Sequence, residues 1–409
     1  LSDARVERLA PALEELYPTS VAVLAPPEYN ARHARSGNVN ALLAEVYRDC
    51  VAHLAEPGIG VLIDQFARDS RRLEVAFEDL DVELHQAHRA ERNMAVAAAS
   101  IVARFRFLER LRALSEAFGV DLHTIGPNSQ GYLTLAAARL AERLDLPEDP
   151  DDERWAHLLI EAATAAGFDR PDVLHEHADG NALVGTIDQR LDLIGLETAS
   201  RRAAPGFDGD TTYLCTAGVD RDGRRIGVSL IQSNASGFGS HLVEPNTGIN
   251  LHNRGIGFNL VEGHPAEFGP RRRPPHTLSP ALATRGGRLA SVFGTMGGDA
   301  QPQILLQIAA RLFRHGQSPT AAIDAARWIL HGPDTGFDTW TGVGGPLVHV
   351  EEHAPDNWVD ALAARGHRSE SRPAWDSGFG HAHAIVVEPT GMFAGAADPR
   401  AVVGSAAGL

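Results

Sequence analysis

The chain has 409 residues, of which 53 are acidic and 37 are basic, and its formal net charge is −16. This negative charge argues against a nucleic-acid partner, because phosphate backbones are bound by positive surfaces, and it favours a small molecule. Hydrophobic residues make up 44% and charged residues 22%, which is typical of a soluble globular protein, and no 18-residue apolar run predicts a membrane span.

Only two cysteines are present, Cys50 and Cys215, so the fold needs no disulfide framework. The first 20 residues show no basic stretch followed by a long apolar run, as a secretion signal would. We therefore expect a cytoplasmic protein. An export signal removed before residue 1 stays open as an alternative.

The first 120 residues are predicted to be mainly helical, since alanine, leucine, arginine and glutamate recur over long runs. A turn cluster, GPNSQG at 126–131, leads into the helical segment YLTLAAARLAERL. Residues 145–154, DLPEDPDDER, are predicted to form an acidic surface loop before another helix.

The pattern changes from helix to strand at residue 211. The stretch before it, RRAAPGFDGD at 201–210, has the composition of an exposed linker that can be cut. TTYLCTAGV and RIGVSLIQS alternate as strands do, and the Asp-Gly step at 222–223 between them indicates a hairpin turn.

Strands are also predicted in GGRLASVFGTM and GHAHAIVV, with helices between them. One helix ends at Gly316, and Ser318 followed by Pro319 begins the next with a preferred cap. Hairpins combined with paired helices predict an α+β fold, in which helices cover antiparallel sheet.

The pair Thr211-Thr212 carries the candidate chemistry. By itself such a pair only opens a strand, because β-branched residues fit strands. Cleavage before Thr211 would expose an α-amine, whose pKa of about 7.7–8.0 leaves a neutral fraction near pH 7. That amine could take the proton of the Thr211 hydroxyl, so one residue would supply both nucleophile and base.

Two glycine-rich segments downstream favour this functional interpretation. SNASGFGS at 233–240 is a small-residue loop where a ligand can approach the backbone closely. GTMGGDAQPQ at 294–303 ends a strand and starts a helix, so the N–H groups of Gly297 and Gly298 are candidates for an oxyanion site.

The order of motifs resembles the γ-glutamyltranspeptidase family of N-terminal-nucleophile hydrolases. The motifs that carry the resemblance are DTTYLC, VDRDG, GVSLIQSN, GFGS, NTGINLHNRG, RRRPPHTLSPAL, FGTMGGDAQPQ, AARW and GAADPR, with HTIGPNSQGYLTLAAARL upstream. The resemblance covers about residues 120–409. Residues 1–210 then correspond to a large-subunit-like segment, whose first 120 residues match poorly, and residues 211–409 to a small-subunit-like catalytic segment.

The resemblance implies an αββα four-layer sandwich and self-cleavage between Asp210 and Thr211, after which the two fragments stay together as a heterodimer. Thr211 is then the nucleophile, and Ser233 the second hydroxyl that assists it. The remaining site residues follow from the same resemblance: Gly297 and Gly298 as the oxyanion pair, Asn253 and Arg254 as substrate-facing residues, and His276 and Thr277 in the place of a serine pair that holds the substrate carboxylate. No cofactor or metal is implied.

The chain also departs from the family pattern. Transpeptidases place an aspartate for the substrate's α-amino group near the position of Gly257, and no acidic residue replaces it here. The large-subunit Arg-Glu-x-Ala-Pro motif and the usual glycine-rich run are missing from residues 1–120. HNRG and IQSN look closer to the lidless amidohydrolases such as oxamate amidohydrolase, in which Arg254 would bind a small carboxylate directly.

Three interpretations of function stay open. The first is a self-processing γ-glutamyl hydrolase or transferase of glutathione metabolism, acting on a small amide and water. The second is an oxamate-type amidohydrolase or acylase of the same family. The third is an unprocessed member without catalysis. Alternating histidines near His175 and His381 could hold a metal, but no carboxylate lies at a telling spacing, so no metal is expected.

Overall fold

The computed structural model describes residues 3–22, 24, 32, 35, 38–65, 71–88, 90–200, 211–331, 347–355 and 357–408. The chain divides into two compact units, residues 1–113 and 114–409. The predicted linker at 201–210, including Asp210, lies outside the described residues.

The first unit contains helices and one pair of parallel strands. Its elements are α1 (Asp3–Leu16), α2 (Val39–Ala52), β1 (Ile59–Asp64), α3 (Arg71–Ala76), β2 (Val82–Ala87) and α4 (Met94–Ser115), the last of which contains the boundary. β1 pairs with β2 in parallel, Ile59 opposite Val82. The prediction of a mainly helical segment therefore missed a β-α-β element, since a short apolar run such as IGVLI at 59–63 fits a strand as well as a helix.

The second unit begins with two short strands and then helices. These elements are β3 (Glu116–Ala117), β4 (Val120–Thr124), α5 (Tyr132–Glu142), α6 (Glu153–Gly167), α7 (Arg170–Val173) and α8 (Gly180–Gly185). The helices after the turn cluster and after the acidic loop are as predicted. Asp152 caps α6 by accepting the Arg154 N–H at 2.7 Å.

Strands dominate the rest of the second unit. They are β5 (Thr211–Val219), β6 (Arg225–Ser233), β7 (Ala281–Arg285), β8 (Arg288–Thr295), β9 (Trp328–His331), β10 (Leu347–Glu351), β11 (Arg368–Arg372), β12 (Ala382–Val387) and β13 (Phe393–Ala397). The helices among them are α9 (Gln301–Ala309), α10 (Pro319–Asp324) and α11 (Trp358–Ala364). Ser318 caps α10 through the Ala321 N–H at 3.2 Å, with proline at the first turn, as predicted.

A six-stranded antiparallel sheet forms the centre of the second unit. Its strand order is β13-β12-β8-β7-β4-β3, so strands from before residue 211 and strands from after it share one sheet. The main core joins this sheet to α5, α6 and α9, with Phe293 and Leu159 completely buried. The α+β class predicted from the sequence is confirmed.

The hairpin β5–β6 packs on this sheet through two glycine gaps. A Cβ on Gly294 of β8 would lie 2.2 Å from the Tyr213 ring, and a Cβ on Gly227 of β6 would lie 2.4 Å from Val292. Tyr213 is 6% exposed, and its hydroxyl is 2.9 Å from Ser229 Oγ. A larger residue at either position would therefore force the opposing side chain to move.

A buried ionic cluster secures the end of the chain. The Arg400 guanidinium binds Glu351 and, at 3.0 Å, Asp398, whose other oxygen lies 2.7 Å from Arg327. These side chains are 0–2% exposed. Such mutually paired charges tolerate burial only as a complete set.

Both cysteines are free thiols. Among the described helices, none combines the length and the apolar character that a bilayer span requires.

Candidate active site

Thr211 and Ser233 lie directly opposite each other on the hairpin. Thr211 is the first residue of β5, and the register pairs it with Ser233, the last residue of β6. Directly opposed residues of antiparallel strands project to the same face with Cβ atoms about 4.5–5.5 Å apart. The structure thus brings together the predicted nucleophile and the predicted assisting hydroxyl, while Asp210 lies outside the described residues.

The hairpin runs along β8 towards its carboxyl end. Gly227, opposite Ala217, lies over Val292, whereas Tyr213 lies over Gly294. The step from 217 to 213 thus follows β8 from residue 292 towards 294. Continuing to Thr211, which shares a face with Tyr213 because side chains alternate along a strand, leads towards Thr295 and the turn that follows it.

That turn contains the two glycines predicted as the oxyanion pair. Gly297 has φ 136° and Gly298 has φ 54°, values that glycine adopts readily and other residues rarely. Neither N–H donates to an acceptor in the described part of the chain, whereas the Gly297 carbonyl accepts the Ala300 N–H at 2.9 Å. Two glycine N–H groups without an acceptor among the described residues, just before a helix, fit the requirement for a developing oxyanion.

Gln130 connects the glycine turn to the segment that holds His276 and Thr277. Its side-chain nitrogen donates to the Thr277 carbonyl at 3.3 Å and to the Gly298 carbonyl at 3.1 Å, and the residue is completely buried. The backbone of Gln130 also donates to the His276 carbonyl at 2.9 Å. The predicted carboxylate-binding segment and the predicted oxyanion turn therefore share one support.

Asn253 and Arg254 differ in their hydrogen bonds. The Asn253 side chain accepts the Ser236 N–H at 3.0 Å, so it holds the small-residue loop after β6. Arg254 begins a short 3-10 turn, Arg254–Gly257, and is only 9% exposed. Its Nη2 has no hydrogen-bond partner among the residues that the structure describes. Burial alone accounts for a lowered Arg254 pKa.

Arg170, which was not predicted, also faces this region. It is 9% exposed, and its Nη2 lies 3.4 Å from Oδ1 of Asp299, which is completely buried and follows Gly298. Arg170 and Arg254 both act on His276, because burial first and then these two guanidiniums lower the pKa of His276 to about 4. His276 is therefore neutral near pH 7.

A cavity of about 190 Å³ lies beside the glycine turn. Its lining includes Gly297, Ala300, His331, His349 and Phe379. The two histidine rings stack with centroids 4.2 Å apart. Burial, the neighbouring His331 and Arg372 lower the pKa of His349 to about 4, so His349 is neutral near pH 7.

No group of three or more potential metal ligands occurs among the residues that the structure describes.

The sequence profile of the family described as Gamma-glutamyltranspeptidase matches residues 96–408. The chain therefore belongs to the γ-glutamyltranspeptidase family. It is 34% identical over 288 residues to the glutathione hydrolase-like YwrD proenzyme of Bacillus subtilis, covering 69% of this chain and 53% of that protein. It is 33% identical over 293 residues to the oxamate amidohydrolase proenzyme of Klebsiella pneumoniae, covering 70% and 53%. The chain thus spans about half the length of these relatives.

A solved structure supports the same relationship. The cephalosporin acylase from Bacillus halodurans superimposes with a TM-score of 0.59 at 28% identity, over 76% of this chain and 60% of that one.

A different protein resembles a smaller share of the chain. Ribonuclease HIII of Chlamydia muridarum is 39% identical over 127 residues, which is 30% of this chain and 42% of that protein. The two transpeptidase-like relatives cover 69% and 70% of this chain, so the share that they leave unmatched is similar in size.

Proposed function

We propose that the chain is a self-processing amidohydrolase in which Thr211 becomes an N-terminal nucleophile. Cleavage of the Asp210–Thr211 bond would free the Thr211 amine. The enzyme would then hydrolyse a small amide whose acyl part carries a carboxylate. The names of both curated relatives, each called a proenzyme, support the cleavage step.

The observation that carries this proposal is the position of Thr211. It begins β5 opposite Ser233, on a hairpin whose Tyr213 ring lies against Gly294 of β8, three residues before Gly297. A nucleophile, a second hydroxyl and two N–H donors for the oxyanion are the parts that an acyl-transfer site needs.

Catalysis would proceed in two balanced steps. The Thr211 oxygen attacks the amide carbon while its α-amine takes the hydroxyl proton, and the N–H groups of Gly297 and Gly298 stabilise the oxyanion. The C–N bond then breaks, the leaving amine takes the proton, and an ester remains on Thr211. Water, activated by the same amine, cleaves that ester and releases the acid.

Arg254, His276 and Thr277 are proposed to hold the substrate carboxylate, with Asn253 positioning the adjoining loop. A buried guanidinium such as that of Arg254, whose Nη2 lacks a hydrogen-bond partner among the described residues, is suited to a carboxylate, because it can donate two parallel hydrogen bonds. In the complete fold we propose the four-layer αββα arrangement, with both fragments retained as a heterodimer.

Thr211→Ala tests the proposal, and Thr212→Ala is its matched control. Thr212 is the adjacent residue of the same type, but it is exposed and projects to the opposite face of the hairpin. We expect Thr211→Ala to remain a single chain and to lose hydrolysis, whereas Thr212→Ala should match the wild type. N-terminal sequencing of the smaller fragment should read Thr-Thr-Tyr. Hydrolysis by an uncut wild-type chain would falsify the mechanism.

One observation favours a second candidate, a family member that keeps the fold without catalysis. The family profile begins only at residue 96, so the first 95 residues do not match it. If that candidate is right, wild-type protein and Thr211→Ala behave identically, with neither cleavage nor turnover.

A further inference from the structure

We propose that the site selects acyl groups that carry a carboxylate and no ammonium group. This inference rests on the proposed function and names its substrate class: amides of simple dicarboxylic acids, in preference to γ-glutamyl amides. It is carried by the charges that surround Arg254, His276 and the glycine turn.

The positive charge of Arg254 is not balanced by a carboxylate of the described residues. The side chain is 9% exposed, its Nη2 lacks a hydrogen-bond partner in the described part of the chain, and no carboxylate contributes to its pKa. Buried charges are normally paired, because desolvation is costly. Arg254 is therefore prepared for an anion that the described residues do not supply.

The other buried guanidinium, that of Arg170, is paired with a carboxylate. Arg170 lies 3.4 Å from Asp299, so its charge is balanced. His276, with a pKa lowered to about 4, adds no charge at neutral pH. Two guanidiniums and one carboxylate leave a single positive charge around His276, which one carboxylate of the substrate would neutralise.

An ammonium group on the substrate would need an acidic side chain as its own partner. The resemblance puts the family's ammonium-binding aspartate near Gly257. A Cβ at Gly257 would lie 2.2 Å from the Pro275 carbonyl oxygen, where it collides with backbone. No side chain fits there without moving the Pro275–His276 segment, so this chain excludes an aspartate sterically.

The acidic residues around Arg170 in the sequence are already engaged or lie on the surface. Asp169 and Glu176 each form a salt bridge with an arginine. Asp179 accepts two backbone N–H groups at the start of α8. Asp172 is exposed. An ammonium group entering the site would thus meet the Arg254 guanidinium and no available carboxylate from residues 169–179.

Three 4-nitroanilides that share a butyryl chain and differ in the groups on its last carbon test the inference. Glutaryl 4-nitroanilide carries a carboxylate, γ-L-glutamyl 4-nitroanilide carries the same carboxylate and an ammonium group, and butyryl 4-nitroanilide carries neither. We expect kcat/KM for the glutaryl compound to exceed that of each of the other two at least tenfold. A γ-glutamyl compound that is hydrolysed as well as the glutaryl one would overturn the inference.

A binding measurement separates this inference from the proposed function. Glutarate and L-glutamate are titrated into the protein by calorimetry, which requires no turnover. If no anilide is hydrolysed, the proposed function fails, yet tighter binding of glutarate by tenfold or more still supports the charge selection. Equal binding of the two acids contradicts it.

Two variants and one control locate the selection. Arg254→Gln should lower kcat/KM for the glutaryl compound to the level of the butyryl one, with Arg254→Lys retaining part of the preference. Arg170→Gln should reduce the ratio of glutaryl to γ-glutamyl turnover, because it removes the guanidinium charge that is paired with Asp299. Arg273→Gln, an exposed arginine in the neighbouring segment, should leave that ratio unchanged. Circular dichroism confirms folding, and an unchanged ratio in folded Arg254→Gln refutes the assignment.

Discussion

Substituting Gly294, which contacts Tyr213, should lower the catalytic rate much more than the free energy of unfolding. In Gly294→Ala the new Cβ would lie 2.2 Å from Cε2 and 2.3 Å from Cζ of Tyr213. Ordinary van der Waals contact begins at 3.4 Å, so the ring must retreat by about 1.2 Å. The ring cannot simply rotate away, since it is buried and its hydroxyl contacts Ser229.

The displaced strand carries Thr211, two residues before Tyr213 on the same face. Overpacking of this size lowers the free energy of unfolding by about 1–3 kcal/mol. A shift of about 1 Å in a reacting group can lower the rate about a hundredfold. We therefore expect Gly294→Ala to stay folded but to process at Asp210–Thr211 and hydrolyse amides about a hundred times more slowly.

The assay combines urea unfolding, gel analysis of chain cleavage over time, and kcat/KM for the glutaryl anilide. Gly218→Ala is the matched control, because it makes the same substitution in β5 at a position where no atom lies within 4 Å of the new Cβ. If Gly294→Ala is cleaved and turns over like Gly218→Ala, the reasoning that links this contact to the nucleophile is wrong.

Three further predictions follow from buried polar groups. Gln130→Ala removes two buried hydrogen bonds, although the Thr277 carbonyl keeps Ser279 Oγ and the Gly298 carbonyl keeps the Gln301 N–H as donors. At about 0.5–1.5 kcal/mol for each bond, the free energy of unfolding should fall by about 1–3 kcal/mol, measured by urea denaturation, and kcat should fall with it. The folded pKa of His276 is about 4, against an ordinary value of 6.5. The contribution of neutral His276 to the free energy of unfolding is therefore complete above pH 6.5 and is lost as the pH falls towards 4. His276→Gln should make the free energy of unfolding less dependent on pH between 6.5 and 4. Arg400→Met leaves two buried carboxylates without their shared cation, and calorimetric melting should show a loss of about 3–5 kcal/mol, whereas a loss below 1 kcal/mol would contradict the assigned pairing.

Local patterns predicted much of the second unit. The hairpin β5–β6, its turn at Asp220–Gly223, the cap at Ser318 and the glycine turn after β8 depend on neighbouring residues, so the sequence alone indicates them. The family motifs added the pairing of Thr211 with Ser233, which the register now places directly opposite each other. The roles of these residues stay predictions.

Contacts between distant residues were not predictable in this way. Arg170 and Asp299 are 129 positions apart in the chain and meet only because α7 and the glycine turn lie together in the fold. Gln130 stands in a turn cluster, where its composition suggests nothing more than a loop, yet it supports two segments of the site. The poor match of the first 120 residues also has a physical counterpart: the family profile begins only at residue 96, and residues 1–113 form a unit of their own.

The shared six-stranded sheet determines what a cut before Thr211 would accomplish. β3 and β4 precede the proposed cut, and β4 is hydrogen-bonded along its length to β7, which follows it. The two polypeptides would be interleaved through a common sheet and a common core, so dilution alone could not separate them. Losing one peptide bond would leave the folded architecture intact. The main change would be that Thr211, a residue in the interior of the chain, becomes a chain terminus with a free α-amine.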